Sequence, residues 1–337
     1  MGKSISEQFT EIVAELPGYC MDFFISENDQ YLPKTKLAYA QDLKTFFYYL
    51  KNTGLDDSLK ALGELSMSDI ESYMMYLDEY KYVDPNTGEE KILTNSASGK
   101  KRKLSTLKSL FKYLQRAGKI EKNPTFLIKM PRLREKEILV LTNDEVERLK
   151  ENVEYRPNAS PRASKFHEKT RFRDMAILSL FLGTGLRVSE LAGINLHDID
   201  LESQRALVTR KGGKQSFVYF KNDVAMDLRD YIAYERCNLL KDENGNKMDG
   251  PLFVSLRKGR ITIQRIEQIV KTYTEYIYAP NVKVTPHTLR KTYGTELYLK
   301  YRDLSLVQHA LGHSSPATTA KYYTKFDDRL LEITREE

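Results

Sequence analysis

Cysteine is scarce in this chain, and neither of its two copies, Cys20 and Cys237, has neighbours at zinc-ligand spacing. Two isolated thiols exclude a disulfide-stapled scaffold and fit a reducing compartment. Long apolar runs are missing as well: no stretch approaches the roughly 18 residues of a membrane span. The opening residues, Met1-Gly2-Lys3-Ser4-Ile5-Ser6-Glu7, lack the charged and then apolar regions of a secretion signal, so a cytoplasmic protein with no membrane partner is expected. There is no internal repeat and no low-complexity tract. No carboxylate cluster of the kind that holds catalytic metal accompanies the motifs described below, so neither a metal nor another cofactor is expected.

What is present is enough chain for two domains, each with its own core: 337 residues, 41% of them hydrophobic. The net charge of +6 is modest, but its distribution is not. Residues 1 to 90 hold 7 Lys/Arg against 17 Asp/Glu, whereas residues 91 to 135 hold 13 against 2. That asymmetry predicts one surface facing a polyanion and another turned away from it.

From Phe9 to Leu50 the pattern is helical. Pro33-Lys34-Thr35 opens one helix, whose apolar positions Leu37, Ala40, Leu43, Phe46, Phe47 and Leu50 recur at helical intervals and which Gly54 ends. Another helix is predicted over Ser68 to Tyr80, then a loop at Asp84-Pro85-Asn86-Thr87-Gly88. Ser96 to Gly118 reads as a helix with Leu104, Leu107, Leu110, Phe111 and Leu114 as its apolar stripe. Its basic residues Lys100, Lys101, Arg102, Lys103, Lys108 and Lys112 are the candidates in this half for phosphate contacts along a DNA groove. Asn123-Pro124 ends the bundle, and Lys129 to Lys136 reads as an extended basic linker.

A second domain then opens at Leu141, with Thr142 and Glu145 as a capping box. Arg156 to Arg173, with Pro157, Pro161 and no apolar period, reads as a loop facing DNA. Met175 to Leu182 is predicted as a buried helix that delivers Gly183-Thr184-Gly185 to a turn. Ala206-Leu207-Val208-Thr209 and Ser216-Phe217-Val218-Tyr219 read as two strands, with Leu252-Phe253-Val254-Ser255 as a third. The organisation expected is a helical domain over 1–128, a linker over 129–140, and a mostly α domain with one small antiparallel sheet over 141–337.

Near the C-terminus, Thr285 is a good N-cap and Pro286 suits the first helical position, which puts His287 and Arg290 on one face of the opening turns. Free N–H groups, an imidazole and a guanidinium together suit a phosphate or another oxyanion. Ser305 and Gln308 form a capping box for a short helix that Gly312 ends. His313 then lies in the turn before another helix beginning at Ser315-Pro316, and Tyr322 and Tyr323 lie further along that helix.

These segments resemble the tyrosine recombinase (phage integrase) family, whose signature is Arg, Lys, His-x-x-Arg, His or Trp, and a nucleophilic Tyr. Gly183-Thr184-Gly185-Leu186-Arg187-Val188-Ser189-Glu190-Leu191 is similar to the family's first arginine motif, and Thr209-Arg210-Lys211-Gly212-Gly213-Lys214 to its β-turn lysine. Among members the chain is most similar to the Xer-type chromosome-dimer resolvases, especially those that act as a single recombinase, because of that lysine turn and the long insert before Arg187.

The resemblance implies an N-terminal core-binding, SAM-like helical bundle that clamps one face of the duplex. It also implies a catalytic set of Arg187, Lys211, His287, Arg290, His313 and Tyr322, with Glu190 orienting Arg187. In that scheme the arginines grip the scissile phosphate bidentately, the histidines donate to it or take the tyrosine proton, and Lys211 protonates the leaving 5′ oxygen. Tyr322 attacks to give a 3′-phosphotyrosyl link without metal or ATP. Adjacent helical residues point about 100° apart, so Tyr322 and Tyr323 do not both reach one phosphate, and the family spacing from His313 selects Tyr322. Lys291 stands where the family often has a second histidine. His167, His197 and His309 are read as structural or exposed.

The partners implied are a specific site in double-stranded DNA, a possible accessory protein, and further copies in a homotetramer. There the apolar positions Phe326, Leu330, Leu331 and Ile333 of the terminal segment dock into a neighbour. A nucleoid location and a role in chromosome dimer resolution or in mobile-element integration and excision follow from the same resemblance. Two other readings stay open: a type IB topoisomerase, which rejoins the original strands, and a DNA-binding regulator that has lost catalysis. The presence of the whole residue set weighs against the latter.

Overall fold

The computed structural model describes residues 3–83, 87–132, 139–156, 160–210, 212–240, 249–275, 277 and 282–312. The chain divides into two compact units, Met1–Lys136 and Glu137–Glu337.

The first unit is a helical bundle with one hairpin: α1 Ile5–Ala14, α2 Gly18–Ser26, α3 Pro33–Asn52, α4 Leu59–Glu64, α5 Met67–Tyr76, β1 Glu79–Val83, β2 Glu90–Thr94 and α6 Ala97–Arg116. Helix starts follow local chemistry. Ser4 with Glu7 and Ser66 with Asp69 form reciprocal capping boxes, and Pro33 occupies the first turn of α3. The apolar stripes of α3 and α6 meet in the core, where Phe46 contacts Phe111 and Tyr73 edge-on at 6.3 and 5.1 Å between ring centroids.

The hairpin is a departure from the reading of one helix as far as Tyr80. That helix stops at Tyr76, and Glu79–Val83 pairs antiparallel with Glu90–Thr94, Tyr80 opposite Leu93. Only Tyr80 of the ten strand residues is buried, so almost no apolar alternation marks the strands in the sequence. The residues 84–86 of the expected loop lie outside the described residues.

The second unit contains α7 Asn143–Tyr155, α8 Pro161–His167, α9 Arg171–Thr184, α10 Val188–Gly193, a 3₁₀ turn at Leu196–Asp198, β3 Ile199–Asp200, β4 Arg205–Thr209 and β5 Gln215–Tyr219. It continues with α11 Asn222–Asp230, a π-helical segment Tyr231–Arg236, α12 Cys237–Leu239, α13 Ile263–Thr274, α14 Pro286–Tyr301 and α15 Leu304–Leu311. At the centre is α9, with Ala176, Ile177, Leu178, Leu180 and Phe181 all buried among α7, α11, α13 and α14. A helix covered on every side shows a continuous apolar run instead of a stripe.

Three expectations for this unit are corrected. The third strand is β3, which pairs with β4, while Leu252, Phe253 and Val254 are buried in irregular chain held by isolated bridges. The segment 156–173, read as a loop, contains α8 and the start of α9. Ser160 caps α8 and Pro161 opens it, but the helix spans only seven residues, too few for a period to show. The first turns of α9 bury the ion pair Arg173–Asp174, which breaks the apolar run from within. Finally, Asp303 caps α15 through the N–H groups of Ser305 and Leu306, in place of the box expected from Ser305.

Candidate active site

Two helix boundaries and one helix end create the site. Helix α9 stops at Gly185, which adopts φ +60° and returns its N–H to Phe181. A Cβ built there would lie 2.5 Å from Cδ1 of Tyr293 and 2.8 Å from Cδ2 of Leu311, so glycine is required by both conformation and space. Two residues on, Arg187 is the N-cap of α10. Glu190, in the first turn of α10, reaches back to accept from the backbone N–H of Arg187 at 2.9 Å and from its Nη1 at 2.7 Å. The other edge of the site is the start of α14, where Thr285 caps and Pro286 opens the helix.

The structure brings Arg187, Glu190 and Arg290 together. Arg290, only 4% exposed, donates from Nη1 to the carbonyl of Gly185 at 2.6 Å and from Nη2 to that of Leu311 at 2.5 Å, and its Nη1 lies 4.0 Å from Glu190. Arg187 donates from Nη2 to the carbonyl of Gly312 at 3.0 Å. One buried carboxylate therefore sits beside guanidinium groups that also donate to the carbonyls of Leu311 and Gly312, at the end of α15. The macrodipole makes that helix end partly negative, so guanidinium donors are favourable there.

His287 lies one turn before Arg290 on α14. Its imidazole is held below the usual histidine range, first by partial desolvation and then by the positive charges of Lys291, Arg290 and Arg187. Lys291 is itself depressed by burial. At neutral pH His287 is accordingly the uncharged form, able both to accept and to donate a proton. Lys211, His313, Tyr322 and Tyr323 lie outside the described residues, as do the helix expected from Ser315 and the terminal apolar segment. The hairpin that carries Lys211 is described on both sides: Thr209 pairs with Gln215, Arg210 N–H donates to Lys214 O at 2.7 Å, and Gly212 and Gly213 take φ +84° and +80°.

One member of the cluster was missed from the sequence. Arg210 donates to Glu190 at 3.3 Å, to Ser216 Oγ at 3.0 Å, and to the carbonyls of Ala310 and Leu311 at 3.2 and 3.3 Å. Its position before Lys211 was visible, but nothing local distinguishes an inward arginine from a surface one. Of the other histidines, His167 is buried with Nε2 2.6 Å from Val153 O, and exposed His197 is raised in pKa chiefly by its hydrogen bond to Asp249.

The six basic residues of α6 have unequal surroundings. Arg102, Lys103 and Thr106 converge on Asp42, which is 1% exposed, at 2.7, 3.0 and 2.9 Å. Lys103 is itself buried in this contact. Lys100 pairs with Asp78 at 2.7 Å and Lys108 donates to Ile128 O at 2.6 Å. Lys101 and Lys112 are exposed on the helix. Among the described residues no group of three or more His, Cys, Asp or Glu is placed to hold a metal ion, and no helix is long and apolar enough to cross a membrane.

Comparison with known proteins identifies the class. The Phage integrase family model matches residues 139–329, and that of the Phage integrase, N-terminal SAM-like domain matches residues 22–118. The chain belongs to the phage integrase family, the tyrosine recombinases. It is of the Xer type within that family. It is 31% identical, over 94% of both chains, to Tyrosine recombinase XerS of Streptococcus agalactiae serotype III (strain NEM316). It is 32% identical, over 89% of this chain and 80% of the other, to Tyrosine recombinase XerC of Caldanaerobacter subterraneus subsp. tengcongensis (strain DSM 15242 / JCM 11007 / NBRC 100824 / MB4). The fold is shared with XerH site-specific recombinase bound to palindromic difH substrate in a post-cleavage complex (TM-score 0.66, 23% identity, 90% of this chain and 80% of that one). It is also shared with a lambda integrase tetramer bound to a Holliday junction (TM-score 0.57, 17% identity, 94% and 76%).

Proposed function

We propose that the protein is a site-specific DNA recombinase that cuts and rejoins strands through a covalent 3′-phosphotyrosyl intermediate at Tyr322. The observation that carries this reading is the convergence of Arg187 and Arg290 beside Glu190, because two rigid guanidinium forks are what a phosphodiester's non-bridging oxygens require in a five-coordinate transition state. Preorganisation by Glu190 and by backbone carbonyls means that little reorganisation is needed when phosphate arrives.

In the reaction, Tyr322 Oη bonds to phosphorus as the bond from phosphorus to the 5′ oxygen breaks. Neutral His287, with His313, takes the phenolic proton, and Lys211 supplies one to the departing oxygen. A phenol of pKa ~10 is mostly protonated at neutral pH, so the surrounding cations also favour the attacking phenolate. Reversal by another strand's 5′ hydroxyl rejoins the DNA in a new arrangement. Positive charge comes from arginine and lysine, so chelator should leave cleavage intact. The first unit binds duplex through α6, and the active assembly is a homotetramer whose terminal segments dock between neighbours.

A nicked suicide substrate carrying a target chosen by binding-site selection tests this reading. Wild type should form a covalent adduct and exchange strands between two duplexes, whereas Tyr322→Phe should bind with near-normal affinity and form none. Adduct from Tyr322→Phe but not from Tyr323→Phe would move the nucleophile. Adduct without exchange would indicate topoisomerase-like rejoining, and no adduct from wild type a silent DNA-binding protein.

A further inference from the structure

Arg210 has a place in the site that no catalytic role accounts for. Its neighbour in the sequence is Lys211, while the side chain of Arg210 turns inward and is only 12% exposed. Four contacts fan out from one planar group. Nε holds Ser216 on the returning strand at 3.0 Å, Nη1 reaches Glu190 and the carbonyl of Leu311, each at 3.3 Å, and Nη2 reaches the carbonyl of Ala310 at 3.2 Å. The guanidinium also limits what can stand at Gly312, where an added Cβ would lie 3.0 Å from its Cζ. It thus ties three separate pieces of chain together: the hairpin, the start of α10 and the end of α15.

We propose that Arg210 is the positioning residue for Lys211. It locks the hairpin to the helix end that leads into His313 and to the carboxylate that holds Arg187. This inference rests on Lys211 being the general acid. The physical reason is that a two-strand turn with two consecutive glycines at positive φ has little rigidity of its own. Lysine adds four rotatable carbons to that freedom. An acid of this kind delivers its proton only if the backbone under it is held, and the four donors of Arg210 hold the residue immediately before it. A lysine at position 210 would have the charge but not the fork, and could not reach Ser216, Glu190 and two carbonyls from one point.

The test uses the full chain on two suicide substrates, one with ordinary DNA and one with sulfur replacing the bridging 5′ oxygen. Sulfur leaves as thiolate and needs no proton. Arg210→Ala should cleave ordinary DNA about 10²-fold slower than wild type, the cost expected of a reacting group displaced by about 1 Å. On the sulfur substrate it should return to within about threefold of wild type, because the defect lies in proton delivery. Arg210→Lys should show the same rescuable pattern with a smaller defect, and carries the test if the alanine variant does not fold. Lys211→Ala and Arg187→Ala are the reference points, rescued and unrescued respectively. An Arg210 defect equal on both substrates, with Lys211→Ala rescued, would overturn the inference and leave the recombinase reading standing. Failure of Lys211→Ala to be rescued would remove the general acid, and the inference with it.

Discussion

Arg187 is bound twice by Glu190, through its backbone N–H to Oε2 at 2.9 Å and through Nη1 to Oε1 at 2.7 Å, so one carboxylate sets both the start of α10 and the direction of the guanidinium. The same carboxylate accepts from Arg210 and lies 4.0 Å from Arg290. Replacing it with a neutral amide leaves buried cations without their counter-charge. Glu190→Gln is expected to cost about 2–4 kcal/mol of stability, toward the lower end because Arg187 remains partly solvated. It should also slow cleavage while DNA stabilises the variant more than it does wild type, since phosphate then supplies the missing negative charge. Thermal unfolding with and without target DNA reads both effects, and equal DNA-induced shifts in Tm would contradict the argument.

Gly185 gives a prediction of a different kind. An alanine there meets the ring of Tyr293 and the side chain of Leu311, and takes a backbone conformation that costs about 1 kcal/mol for a residue with a Cβ. Overpacking adds roughly 1–3 kcal/mol. The shift also moves the carbonyl that receives Arg290. Denaturant unfolding of Gly185→Ala should therefore show a loss of about 2–4 kcal/mol, with cleavage impaired even where the protein is folded. Gly193→Ala is the internal control. At the end of α10, with nothing within 4 Å of an added Cβ and no positive φ, it should be neutral or slightly stabilising.

The histidines should separate by pH. His287 is held below the ordinary histidine value of 6.5 by desolvation and neighbouring cations, while His197 is raised above it by its hydrogen bond to Asp249. The folded protein thus binds a proton at His287 less readily than the unfolded chain does. The stability tied to this group is fully present above pH 6.5 and is lost as pH falls through its depressed folded value. In the DNA-free protein, NMR titration should show the His287 ring titrating below 6.5 and His197 above it. Bound phosphate, adding negative charge, should move His287 upward. A free-state midpoint for His287 above that of His197 would refute the electrostatic account.

On α6, exposed and inward cations should behave differently. Lys101→Gln and Lys112→Gln should each weaken DNA binding and reduce the slope of log K against log salt by about 0.9, the release of one phosphate counterion. Neither should alter Tm appreciably. Lys103→Met removes a buried partner of Asp42 and should act mainly on stability, with the salt slope unchanged. Salt titrations of binding check this directly: an unchanged slope in Lys101→Gln and Lys112→Gln together would remove α6 from the DNA-binding surface.

Much of the architecture was legible because it is written locally. Thr142 with Glu145, and Thr285 before Pro286, announce helix starts through capping groups that act within one turn. The apolar stripes of α3 and α6 appear as periods because one face of each helix is buried. The family motifs, too, sit in short segments around Arg187, Lys211 and His287-x-x-Arg290. The β1–β2 hairpin was not legible, since strands with one buried residue leave no alternation, and α8 was too short to show a period.

The sequence alone determined which cations and acids the site has available and which helix turns carry them. Only the tertiary structure decided their partners. It joins Glu190 to Arg210 across 20 residues of chain and Arg290 to Gly185 across 105, and turns Lys103 toward Asp42 while Lys101 stays in solvent. The reason is physical. A guanidinium's charge and its helical face follow from its own neighbourhood in the chain, but the group it binds is chosen by which distant carbonyls and carboxylates packing has stripped of water.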